Sequence, residues 1–283
     1  MLFLTSFLLV IFFITQCPFF SSNPSCDHEL IIDFLFFLYQ PPPPDMITFS
    51  EYANYLWNKL VLKLGMCRGA KVIRIIVDKP KYLKPRDLLH ETRSSKRGVM
   101  NARDCPISDN DLISHCKTYQ MMLANAQLKK QYTHYLMTKF VELTCLSKLP
   151  VHVILDYEDL GCPCTIYNGA MFDLPMLKNE NGEADYNLWY HCMTSTSQQI
   201  VILGSDTDIW GYGMAFKDCG WLGSKVVYVE KTLGAEYVCV NNFPVAASSH
   251  PQLRNIPFPL LTLSAIYVWT GGDYVSSFFR TSK

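Results

Sequence analysis

The chain has 283 residues, of which 49% are hydrophobic and 18% charged, a composition that excludes global disorder and provides enough apolar side chains for a substantial core. Its 25 lysines and arginines equal its 25 aspartates and glutamates, so the net charge gives no general attraction to nucleic acid, and any such binding must come from local patches. The length suits one large α/β domain or two small ones.

The N-terminus leaves the cellular location open. Residues 1–15 are almost wholly apolar and match the apolar core of a signal peptide in length, although no lysine or arginine precedes them. A secretory or membrane leader, an incorrectly assigned gene start and a buried element of the fold are all compatible with residues 1–28. The 11 cysteines lack paired CxxC motifs, which indicates free thiols in a reducing compartment. A nuclear or cytoplasmic location is therefore favoured, and a secretory or membrane location requires a genuine leader.

Two predicted strands come next in chain order, and the first contains an aspartate while the second is followed by one. Residues 29–39 have the apolar pattern of a buried strand that passes into a helix, with Asp33 in the middle. Residues 49–64 carry an apolar stripe at helical spacing. The β-branched residues of 71–77 predict a second buried strand, and Asp78 follows it directly.

A basic segment follows this second strand. Between residues 79 and 103, eight lysines and arginines face only two acidic residues. Such a surplus is compatible with a solvated surface or with a surface that contacts phosphate groups. Residues 109–147 contain no proline or glycine and predict one long helix or two. We therefore expect residues 84–148 to form a basic, helical insertion or cap.

The C-terminal half alternates strands with helices. The sequence predicts a strand at 151–155, an irregular segment at 161–182 and a helix beginning near residue 183, whose apolar stripe includes Trp189. Further strands are predicted at 199–203, 225–230 and 236–240, and an apolar helix at 259–270. This alternation indicates an α/β fold in which a mainly parallel central sheet is flanked by helices.

Three short acidic segments carry the clearest functional signal. Asp206 and Asp208 are two residues apart at the end of an apolar strand, and in an extended backbone their carboxylates would point the same way. Ligands of open α/β sheets bind at the carboxyl ends of the strands. Glu183 and Asp185 lie at an expected helix start, where helix capping is the simpler explanation. Asp273 follows two glycines at the end of the last helix.

The order of these segments resembles that of the flap endonuclease/XPG group of PIN-like nucleases. That family has an approximate GEAEA motif, an acidic pair at a strand end and a G-(C/S)-D-Y segment, and residues 182–185, 206–208 and 272–274 follow the same order. Two upstream aspartates complete the site in the family, and Asp33 and Asp78 match their positions. The family continues past its last aspartate into an element that holds duplex DNA. Because this sequence stops soon after that aspartate, we expect a divergent, C-terminally truncated member.

The resemblance implies a PIN-like nuclease domain at residues 29–283 that cleaves DNA in preference to RNA, as an endonuclease or exonuclease. Two Mg²⁺ or Mn²⁺ ions about 4 Å apart would stabilise the attacking and leaving oxygens of a phosphodiester, and no organic cofactor is expected. All seven acidic residues are expected metal ligands, and all except Asp33 are also assigned to catalysis: Asp33, Asp78, Glu183, Asp185, Asp206, Asp208 and Asp273. The expected phosphate contacts are Lys84, Arg93, Lys96 and Arg97.

Two other functions remain open. A catalytically inactive PIN-like module, derived for example from a mobile element, would bind nucleic acid or protein without cleaving it. A secreted or membrane-tethered protein would instead use the acidic cluster to bind Ca²⁺, although the segment around Asp206 lacks the spacing of an EF-hand loop. A membrane is an expected partner only if the N-terminal leader is genuine.

Overall fold

A computed structural model shows that the chain has an α/β fold. It describes residues 24, 27–79, 107–113, 117–157, 160–179, 183–204, 206–233 and 236–270. Within these residues, eight strands form one mixed, mainly parallel sheet flanked by helices, so the predicted fold class is confirmed at this level.

The strands are β1 (His28–Asp33), β2 (Ala70–Ile76), β3 (His152–Asp156), β4 (Cys164–Tyr167), β5 (Ala170–Asp173), β6 (Gln199–Leu203), β7 (Val226–Thr232) and β8 (Glu236–Cys239). Their order in the sheet is β5-β4-β3-β2-β1-β6-β7-β8. The described α-helices are α1 (Phe34–Leu38), α2 (Phe49–Trp57), α3 (Lys117–Ala124), α4 (Ala126–Ser147), α5 (Ala184–Thr194), α6 (Thr207–Asp218), α7 (Phe243–Ser249) and α8 (Pro259–Thr270). A π-helix (Asn58–Gly65) continues α2, and short 3-10 helices lie at Met66–Arg68, Pro175–Leu177 and Val240–Asn242.

Two compact units make up the chain: Ile32–Glu183 is the first unit, and Met1–Ile31 with Ala184–Lys283 is the second unit. In the first unit β2 pairs in parallel with β3. In the second unit β6 pairs in parallel with β7, and β8 pairs with β7 in the antiparallel direction. Buried parallel strands are continuous apolar runs, which explains why the sequence predicts these strands well.

The interpretation of residues 161–182 as irregular is wrong for their first half. There β4 and β5 form an antiparallel hairpin in which Tyr167 lies opposite Ala170. Asn168 and Gly169 connect the strands with φ angles of 49° and 83°, the left-handed pair of values that a two-residue hairpin turn requires. The Asn-Gly pair is the sequence signal for this turn. Each strand has only four residues, which is too short to give a periodic pattern.

No helix within the described residues is both long and apolar enough to cross a membrane. The predicted leader at residues 1–28 lies almost wholly outside the described residues, as do residues 80–106 of the basic segment. The helical prediction for residues 109–147 is confirmed as two helices, α3 and α4.

Buried tyrosines join the helices of the first unit. Tyr52 of α2, Tyr119 of α3 and Tyr132 of α4 are at most 1% exposed, and their ring centroids lie 6.1–6.4 Å apart. The hydroxyl of Tyr119 donates a hydrogen bond to the carbonyl of Leu38 at 2.7 Å. Burial raises the pKa of Tyr119 to about 12, so this hydroxyl keeps its proton and remains a donor at neutral pH.

A buried hydrogen bond also ties α2 to α4, and it yields a stability prediction. Trp57 Nε1 donates to Thr144 Oγ1 at 2.9 Å, and the Thr144 hydroxyl donates to the carbonyl of Phe140. We expect Thr144→Val to lower the free energy of unfolding by about 1–3 kcal/mol, because the buried indole N–H loses its acceptor while the side-chain shape is kept. Chemical denaturation of the variant measures this loss.

Thr138→Val is the matched control for this prediction. It removes the same kind of hydroxyl-to-carbonyl bond, between Thr138 and His134, from an exposed position of the same helix. We expect a change within about 0.5 kcal/mol. Equal losses in the two variants would show that the buried indole bond does not stabilise this helix contact.

Candidate metal centre

Asp206 begins helix α6 as its N-cap. Its backbone angles are φ −70° and ψ 142°, and its Oδ1 accepts a hydrogen bond from the backbone N–H of Asp208 at 3.2 Å. The predicted extended backbone across this pair is therefore wrong, because β6 ends at Leu203 and the helix begins at Thr207. The first N–H groups of a helix lack acceptors within the helix, and an N-cap aspartate supplies one.

A buried tryptophan joins the beginnings of α5 and α6. Asp185 lies in the first turn of α5, and Trp189 follows it one turn later. The fully buried Trp189 donates through Nε1 to the carbonyl of Ile209 at 2.8 Å, directly after Asp208 in α6. Gly213 makes room for the indole, since a Cβ at that position would overlap the ring. This contact places the two helix N-termini side by side.

Three carboxylates meet at these two helix beginnings. One oxygen from each of Asp185, Asp206 and Asp208 lies within 4.8 Å of the others. We call these three residues the acidic triad. Asp206 is exposed and the other two are partly exposed, so solvent reaches the group. Three clustered carboxylates provide the oxygen donors that Mg²⁺ and Mn²⁺ prefer, so the residues fit a divalent cation.

The electrostatics of the acidic triad favour a counter-charge. Like charges at this separation repel each other, and a bound cation would relieve the repulsion. Each helix N-terminus carries a positive partial charge of about half an elementary charge, which offsets part of the repulsion. The hydroxyl of Tyr267 on α8 adds a hydrogen bond to Asp208 Oδ1 at 2.7 Å. Sequence reasoning missed Tyr267, whose only signal is an aromatic residue with a hydroxyl in a mainly apolar helix.

The structure brings three of the seven predicted ligands together. Asp33 and Asp78 belong to the first unit, where Asp33 caps α1 by accepting a hydrogen bond from the N–H of Leu35 at 3.0 Å. Asp78 is half-buried two residues after β2, and Glu183 directly precedes α5. The roles of these three residues stay predictions. The predicted residues Asp273, Lys84, Arg93, Lys96 and Arg97 lie outside the described residues.

Asp156 is a buried acid to which the sequence analysis assigns no role. It is fully buried at the carboxyl end of β3, where its carboxylate forms an ion pair with Lys79 and its carbonyl accepts the N–H of Val77 at 3.0 Å. A buried carboxylate needs such a partner to remain charged. Lys79 is therefore a structural cation, and it does not belong to the basic surface predicted for residues 79–103.

Comparison with known proteins assigns no family, because neither a protein-family model nor a curated protein matches this sequence.

The contact between Trp189 and Gly213 can be tested by adding a single methyl group. Alanine is favoured over glycine within a helix by about 1 kcal/mol, so any loss of stability on replacing Gly213 with alanine reports the overlap of the new Cβ with the Trp189 indole. We expect Gly213→Ala to lower the free energy of unfolding by about 1–3 kcal/mol and to lower the thermal midpoint. Gly211→Ala in the same helix is the control, because its Cβ would meet only the edge of the Tyr267 ring at 3.1 Å. Equal midpoints for the two variants would contradict the proposed role of Trp189.

Proposed function

We propose that this protein is a metal-dependent nuclease related to the flap endonuclease/XPG group of PIN-like enzymes, and that it hydrolyses phosphodiester bonds of nucleic acid. The observation that carries the proposal is the acidic triad at the joined beginnings of α5 and α6 in an α/β fold. The order of acidic motifs in the sequence supports it independently of this geometry. DNA is favoured over RNA through the sequence resemblance alone.

The residues of the triad have distinct parts in the proposed site. Asp206 is the most exposed of the three, so it faces the side from which a substrate would approach. Asp185 and Asp208 are partly exposed and lie in the first turns of their helices, where the positive helix ends stabilise their negative charge. A divalent ion bound here would lower the pKa of a bound water, and the proposed second ion would stabilise the leaving oxygen.

The sequence resemblance extends this proposal beyond the triad. A second ion and a complete ligand set would require further carboxylates, and the phosphates of the substrate would require cations. The additional proposed ligands are Asp33, Asp78, Glu183 and Asp273, and the proposed phosphate contacts are Lys84, Arg93, Lys96 and Arg97. Metal ions and basic side chains would then stabilise most of the charge of the transition state.

The direct test is a double substitution within the triad. We expect Asp206→Asn with Asp208→Asn to lower Mn²⁺-dependent cleavage at least about 100-fold and to abolish the rise in thermal midpoint that Mn²⁺ causes. Without metal the variant should be at least as stable as the wild type, because asparagine caps a helix as well as aspartate does and the repulsion within the triad is reduced. Cleavage is measured on single-stranded, flap and duplex DNA and on RNA.

Asp218→Asn is the matched control for the double substitution. Asp218 is the last residue of the same helix, and its Oδ2 accepts a hydrogen bond from the N–H of Leu261, a contact that asparagine can keep. We expect this variant to keep both cleavage and stabilisation by Mn²⁺. Undiminished cleavage by the double variant would contradict the proposed site. Binding of nucleic acid by the wild type with neither cleavage nor stabilisation by Mn²⁺ would favour the inactive PIN-like module instead.

A further inference from the structure

Tyr267 reaches the acidic triad from a helix that contributes no described carboxylate to it. Its side chain lies on α8 and is 7% exposed, and its hydroxyl donates to Asp208 Oδ1 at 2.7 Å. That length is typical of a strong hydrogen bond between a hydroxyl and a charged oxygen. Leu260 and Leu263 of the same helix are fully buried. The hydroxyl of a largely buried tyrosine on a mainly apolar helix therefore reaches one oxygen of the triad.

Two further contacts fix the position of the Tyr267 ring. The hydroxyl of Ser264, one turn earlier on α8, donates to the carbonyl of Gly211 on α6 at 2.7 Å. Gly211 also lies against the ring itself, since a Cβ there would approach Tyr267 Cδ1 to 3.1 Å, closer than most carbon contacts allow. Gly211 lies one turn after Asp208. The same close approach of the two helices therefore sets the ring and delivers its hydroxyl to the carboxylate.

We infer that Tyr267 is a positioning residue for Asp208 in the proposed metal site. A partly exposed aspartate at a helix N-terminus can rotate about its side-chain bonds, and each orientation presents its oxygens differently to a cation. The Tyr267 hydroxyl donates to Oδ1 and so favours one orientation of the carboxylate. Hydrogen bonds of this kind orient the carboxylate ligands of metal sites, and their loss typically weakens metal binding 10- to 100-fold. The inference rests on the proposed function, because it requires the triad to bind a cation.

The test removes only the hydroxyl. We expect Tyr267→Phe in the full chain to bind Mn²⁺, measured by electron paramagnetic resonance, about 10-fold more weakly than the wild type. The same weakening is expected for Tb³⁺, and the decay of its luminescence in H₂O and D₂O reports how many waters remain on the ion. We expect that number to rise, because a carboxylate that has lost this hydrogen bond is held less firmly and engages the ion less completely. A loss of packing alone would not change the hydration of an ion that is still bound.

Two other variants separate positioning from packing. Tyr228→Phe removes a phenolic hydroxyl from a buried residue in the middle of β7, in the same unit, and should bind both ions as the wild type does. Gly211→Ala keeps the Tyr267 hydroxyl but displaces its ring by a few tenths of an ångström, and should weaken Mn²⁺ binding less than Tyr267→Phe does. This second variant also tests the inference if Tyr267→Phe folds poorly.

The outcomes distinguish this inference from the function on which it rests. If the wild type binds Mn²⁺ and Tyr267→Phe binds it with the same affinity and the same hydration of the bound ion, the positioning role is overturned. The proposed metal site is not affected by that result. A wild-type chain that binds neither ion would overturn the proposed function and the inference with it. Weaker binding with a raised hydration number in Tyr267→Phe, and no change in Tyr228→Phe, would establish the positioning role.

Discussion

The hydrogen bond from Trp189 Nε1 to the carbonyl of Ile209 is the contact on which the candidate site depends. It joins α5 to the first turn of α6, and Gly213 lets the indole lie close to the second helix. Together with the packing of Tyr186 against Tyr212 and Phe216, it sets the position of Asp185 relative to Asp208. A purely apolar interaction has no direction, whereas this one combines a directed hydrogen bond with close packing in a dry interior. The position of the carboxylates is therefore a consequence of core packing.

Opposing electrostatic effects meet at the acidic triad. Its carboxylates repel each other, which disfavours the metal-free state, while the positive ends of two helices and the Tyr267 hydroxyl stabilise the negative charge. Asp206 caps its own helix and also faces solvent, where we propose that it binds a cation. Asp156 provides a contrast in the first unit, where a fully buried carboxylate is neutralised by Lys79. Exposure is what makes the triad suitable for a metal ion.

The sequence predicts the elements of this fold better than the details of its site. Long apolar runs such as 199–203 identify buried strands because both faces of a parallel sheet are covered. The sequence does not predict the hairpin at Asn168 and Gly169, because its strands are too short to show a periodic pattern, although its turn has a clear local signal. The pairing of Asp206 with Asp208 is predicted, but for the wrong reason: a helix N-cap, and not an extended strand, brings them together. Tyr267 could not be found, because its role depends on how two distant helices pack.

The most direct test of cation binding by the acidic triad is a crystal structure of the protein grown with Mn²⁺, with diffraction recorded near the manganese absorption edge. We expect an anomalous peak within about 2.5 Å of oxygens from Asp185, Asp206 and Asp208. An ordered triad without such a peak, at a Mn²⁺ concentration that supports cleavage, would contradict it.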